Sequence, residues 1–203
     1  MSRPPLRLQH VLIIMLIGVL FFAWGAWLMR ERAPAAALPW LADFDTEVLT
    51  PLADDRLAVS QLPAAEAAEL WLQPRLDGAR LFYRTVLPVE GASWQLDAEL
   101  DLSASERASL LAALDAAPGS TEQQLGRPLL EQMSRYRILN VQLLAPADQP
   151  TESIASTLGA PRLRLELAEG QAWVYPERGL TVHTVDDQVR MLHAVPRKAL
   201  KQP

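Results

Sequence analysis

The chain has 203 residues, half of them hydrophobic, with 19 basic and 24 acidic side chains and no cysteine. That apolar content excludes a disordered or collagen-like chain, and the lack of cysteine excludes disulfides, thiolate metal centres and a cysteine nucleophile. Four of the 19 basic and one of the 24 acidic residues fall within residues 1–32, so residues 33–203 hold 15 against 23, a net of −8 that argues against a nucleic-acid partner.

Residues 11–29 form a run of 19 without a charge. As a helix at ~1.5 Å per residue the run reaches ~28 Å, close to the ~30 Å hydrocarbon core of a bilayer. Trp24 and Trp27 are three apart near one end, sharing the helix face where an interfacial aromatic belt would place them. Arg3 and Arg7 precede the run, and Arg30, Glu31 and Arg32 follow it, which predicts a cytoplasmic tail over residues 1–10. A cleaved signal peptide ending at Ala35-Ala36-Ala37 is disfavoured, because the run is too long and three charges separate it from that site. With 17 Arg, two Lys and abundant Ala and Leu, the composition reads as bacterial. The expectation is a single-pass transmembrane helix in the inner membrane, with the bulk of the chain in the periplasm.

Residues 30–39 read as a linker, and Trp40 directly after it is expected at the membrane interface with Trp24 and Trp27. Beyond it, 41–49 is helix-like, 56–62 resembles a short strand, and 63–70 reads as a helix that opens on proline and ends by Pro74. Strands are predicted over 79–87 and 94–102, joined by a hairpin loop at 88–93. The second strand alternates strictly between apolar and acidic or polar residues. Asp97, Glu99 and Asp101 on its polar side read as a solvated face, not a cation site. Ser103-Ala104-Ser105-Glu106 is a capping box opening a helix through Leu114. Residues 120–136 are helix-like but split at Gly126 and Pro128, and 138–144 is a strand. The turn-rich stretch 145–150 is the expected boundary between an α+β region, 40–145, and a second module, 146–203.

In that module Thr151 is expected to cap a helix over 151–158 that Gly159 stops. Residues 162–167 alternate, with Leu163, Leu165 and Leu167 expected on the buried face. Strands over 172–175, 180–185 and 188–195 follow, with turns at 176–179 and Asp186-Asp187. The fold class is therefore α+β, with antiparallel sheet covered by short helices behind one membrane helix.

Leu158-Gly159-Ala160-Pro161, then Trp173-Val174-Tyr175, Gly179-Leu180-Thr181-Val182 and Asp187-Gln188-Val189 together resemble the SmpA/OmlA family of small envelope proteins. The likeness covers about the last 50 residues. It implies helices packed on a three-stranded sheet and a binding or scaffold role, with Gly159, Pro161, Trp173 and Tyr175 as binding or packing residues. The family's lipobox cysteine and Gly-Met-Thr lead-in are absent.

No catalytic, metal or cofactor site is predicted. His183 and His193 stand ten apart on C-terminal strands without a third ligand, and Ser134, Ser156 and Asp187 lack a nucleophile elbow. The expected function is non-enzymatic. A periplasmic α+β domain binds or scaffolds another envelope protein, and the helix sets its location. The alternatives are a small-ligand or cell-wall-binding module using a cleft lined by Tyr83, Trp94 or Trp173, and an envelope hydrolase.

Overall fold

A computed structural model describes residues 8–28, 35–63, 65–147 and 149–201, which fall into two compact units divided after Ala35. Arg3, Arg7, Arg30, Glu31 and Arg32, with Ala33 and Pro34 of the expected linker, lie outside the described residues.

The first unit contains helix α1, Leu8–Leu28. Trp24 and Trp27 are both exposed on it, and Phe21 meets Trp24 edge-on at 6.1 Å. Side chains are described only from residue 11 to residue 27. Among the described residues no helix is long and apolar enough to cross a membrane.

The second unit, Ala36–Pro203, is built on one antiparallel sheet of nine strands. In chain order these are β1 (Glu69–Arg75), β2 (Gly78–Val89), β3 (Ala92–Leu100), β4 (Gln123–Leu125), β5 (Ile138–Leu144), β6 (Leu163–Glu166), β7 (Gln171–Tyr175), β8 (Leu180–Val185) and β9 (Gln188–Ala194). Their spatial order is β4-β1-β2-β3-β5-β9-β8-β7-β6, two meanders joined where β5 pairs with β9. Residues 145–150 are thus a connection within one sheet, not a seam between two domains.

Helices pack on a single face of this sheet. Helix α2 (Pro39–Phe44) runs through a π-helical turn, Asp45–Leu49, into α3 (Thr50–Ala53). The wide turn has a cause in Pro51, which has no N–H to return to the preceding turn, while Thr50 N–H reaches back to Asp45 O. Leu41, Phe44, Val48, Leu49 and Leu52 from this segment, with Ile154 and Leu158 of α6 (Thr151–Leu158), bury against Leu72, Leu81, Leu96, Val141, Leu143, Val182 and Leu192 of the sheet. At ~25 cal/mol per Å² of apolar surface removed from water, this layer is the main stabilising term.

Local signals account for most elements. Ser103 accepts from Glu106 N–H at 3.3 Å and Glu106 accepts from Ser103 N–H at 2.7 Å, so the capping box opens α4 (Ala104–Ala113) as expected. The β2–β3 connection is tighter than expected. Glu90 and Gly91 both have positive φ, giving a two-residue turn matched to strand twist. Four expectations fail. Residues 59–61 form a 3₁₀ turn, not a strand. The expected helix over 63–70 is only a 3₁₀ turn at Ala65–Ala67 before β1, where Leu70 and Leu72 point inward and Trp71 and Gln73 outward. The split helix over 120–136 gives up its start to β4 and survives as α5 (Arg127–Gln132). Thr151 caps nothing. Pro150 holds the N-cap position, and the buried Thr151 hydroxyl has no hydrogen-bond partner among the described residues.

Candidate functional site

The registers place the side chains of each strand on one of two faces. Opposite the helices, neighbouring strands present Trp71 beside Phe82, Arg84 beside Asp97, Gln142 beside His193, and Met191 beside His183. At ~4.8 Å between strands, eight steps carry this face ~38 Å from β4 to β6. Apart from the buried Glu99 and Ala172, its residues are half-buried or exposed, and Val86 on β2 is half exposed.

Charge on this face is paired, not free. Arg84 lies over the rings of Trp71 and Phe82, 5.4 and 5.8 Å from their centroids. It donates to Glu122 at 2.6 Å and to Asp97 at 3.2 Å. The hydrogen bond from Arg84, ahead of the opposing penalty of burial, holds the Glu122 carboxyl below the ordinary glutamate value. Asn140 donates to Glu99 at 2.7 Å, and Arg137 donates to Asp101 at 2.9 Å. The acidic row at 97, 99 and 101, expected to be a solvated face, is therefore held residue by residue, Asp97 and Asp101 by arginines and Glu99 by a neutral amide with the Arg80 guanidinium 3.9 Å away.

His183 and His193 fall diagonally across the β8–β9 pair. Burial first, then the neighbouring His183, pushes the His193 pKa down, while Glu99 pulls it back up. Among the described residues no group of three His, Asp or Glu side chains is placed to hold a metal.

The residues singled out by sequence divide by location. Trp173 and Tyr175 point to the helix side and are buried. Tyr175 donates its hydroxyl to Gly159 O at 3.1 Å, tying β7 to the left-handed residue that ends α6. Pro161 is half-buried in the link from α6 to β6. Trp40 packs its ring 4.9 Å from that of Trp94, against the core of its own unit. Of the three aromatic residues offered for the alternative ligand cleft, Trp94 and Trp173 are core residues. Tyr83 lines a cavity of about 210 Å³ with Glu66, Arg127 and Ser134 and donates to Pro63 O at 2.8 Å.

Sequence reading missed the open face because its members come from nine strands, and alternation in one strand does not say whether its polar side is shared. It also misplaced one edge. β6 pairs with β7 alone, and Leu163, Leu165 and Leu167, expected to be buried, are 50, 44 and 44% exposed. Compared with known proteins, the chain matches no family model, no curated protein and no solved structure.

Proposed function

We propose that the chain is a bitopic protein of a bacterial inner membrane whose periplasmic domain, Ala36–Pro203, scaffolds another envelope protein and catalyses no reaction. The observation that carries the reading is the uncovered sheet face. It is a broad surface of half-buried aromatic, aliphatic and internally paired charged groups, the mixture found where proteins meet proteins. Because its charges already satisfy one another, the partner it suits is a polar, weakly charged protein surface.

The membrane anchor rests on sequence, through the uncharged run at 11–29 with Trp24 and Trp27 at its end. The flanking charges favour a cytoplasmic N-terminus. The likeness of residues 155–192 to the SmpA/OmlA family supports a scaffold role as well.

A photo-crosslinking side chain placed at Trp71 or Val86 in the full-length protein, in its native envelope, tests this. One recurrent envelope protein is expected from both positions and none from Gln132, an exposed residue at the end of α5. Equal capture from all three positions, or none from the open face, would overturn the reading.

A further inference from the structure

The outer edge of β6 is the longer of the two free edges of the sheet, since β4 at the other end has only three residues. It carries neither lysine nor an interior proline, all four of its residues are exposed, and its two charges, Arg164 and Glu166, are of opposite sign, so a second copy of the strand can complement them. We propose that two copies of this chain pair antiparallel along β6, centred on Leu165, joining their nine-stranded sheets into one.

The backbone supplies the first condition. Leu167 N–H donates to Gly170 O at 3.0 Å, and Leu165 stands opposite Ala172 and Leu163 opposite Val174. Amide groups alternate sides along a strand, so Leu163, Leu165 and Leu167 turn theirs towards β7. Arg164 and Glu166 turn theirs outward, and only registers that oppose these two kinds of residue correctly can bond.

Side-chain charge then selects one register. Centred on Leu165, the pairing sets Arg164 against Glu166 of the second copy and Glu166 against its Arg164. Both are hydrogen-bonded pairs with opposite charges. Leu163 then meets the second copy's Leu167, and Leu165 meets its own counterpart. Moving the centre to Arg164 opposes two arginines, and moving it to Glu166 opposes two glutamates, both unfavourable. A shift of half a step opposes an outward amide with an inward one.

Both charged side chains are already ordered on the helix side of the strand. The Arg164 guanidinium sits 4.2 Å from the centroid of the Trp173 ring, and Glu166 accepts from Gln171 at 2.9 Å. The leucines emerge on the open side, where a second set would cover them. A two-fold pairing of this kind uses the edge up and closes, so it yields a dimer and not a fibre. Its short length suits a reversible association, best read by trapping.

The absence of cysteine makes the trap clean. In a non-hydrogen-bonded antiparallel pair the Cα atoms lie ~4.5 Å apart, within the range of a disulfide. Full-length Leu165→Cys, oxidised mildly in native membranes, is expected to form a covalent homodimer, whereas Leu76→Cys, more exposed on the β1–β2 turn, is not. Adding Arg164→Glu or Glu166→Arg to Leu165→Cys is expected to abolish the dimer, and adding both together to restore it. Co-expressed Leu163→Cys and Leu167→Cys chains are expected to crosslink to each other, a check that needs no charge change.

Crosslinking of Leu165→Cys no better than Leu76→Cys overturns the proposal. So does capture of a different protein at position 165, or a charge-swapped double variant that stays folded by circular dichroism yet remains monomeric. The edge is distinct from the open face, so loss of pairing here leaves the envelope-partner reading standing.

Discussion

Arg84 concentrates more interactions than any other open-face side chain described above, with two ring contacts and two carboxylates. Because the side chain is a quarter exposed, each ion pair is worth well under its Coulomb value in a dry interior. Replacing it with Met is expected to lower stability by about 1–2 kcal/mol in urea titrations. The difference should shrink in 1 M salt, where the screening length falls to about 3 Å. His193 sets a pH response of definite sign. Its pKa is lower folded than unfolded, so between the two values the unfolded chain binds more protons and stability rises with pH. Stability is therefore lost as pH falls below about 6.5, the unfolded value. His193→Gln is expected to flatten that part of a melting-temperature profile. The Glu122 response has the same sign but lies below its unfolded value of 4.5, so the two are separable in one titration.

Two glycines with left-handed backbone show how an element depends on the space around it. Gly91 turns the β2–β3 hairpin at φ +81° with nothing near its missing Cβ, and Gly179 joins β7 to β8 at φ +62° against the carbonyl of Val195. Gly91→Ala is expected to lose about 1 kcal/mol, the left-handed penalty alone. Gly179→Ala adds a backbone collision and is expected to lose several times more, read as urea midpoints of the two variants. Elements with a local cause were legible. The Ser103–Glu106 box starts α4, Gly159 ends α6, and the alternating 94–102 becomes β3. β1 was not, because Ala65, Ala67 and Ala68 favour a helix and Pro74 reads as its end. In the sheet Pro74 loses nothing on its β4 side, since β4 pairs only as far as Leu72. Three-residue β4 exists only through its pairing with β1. The leucines of 162–167 were misread because strict alternation reports a strand with an apolar side, not whether anything covers that side.

For the molecule as a whole, the joint between β5 and β9 decides whether two meanders behave as one body. Val141 opposes Ala194 and Leu143 opposes Leu192 across it, all four buried. Leu192→Ala is expected to remove about 2–5 kcal/mol. If the joint couples the halves, tryptophan fluorescence, which samples Trp71 and Trp94 in one half and Trp173 in the other, and far-ultraviolet circular dichroism will still report one coincident transition. Two midpoints would show that the halves melt separately. Envelope-partner capture and β6 pairing, tested as described above, belong to this scale as well, since neither surface is made by a single element.

The strand order also dictates a timetable. β9 follows the other eight described strands in the chain, yet it lies inside the sheet, between β5 and β8. Until residues 188–194 arrive, a growing chain holds β5 and β8 as two raw inner edges, each wanting the same missing neighbour. The sheet therefore stays open at its centre until β9 is made, so a nick or premature stop before β9 splits it near its midpoint instead of trimming its rim.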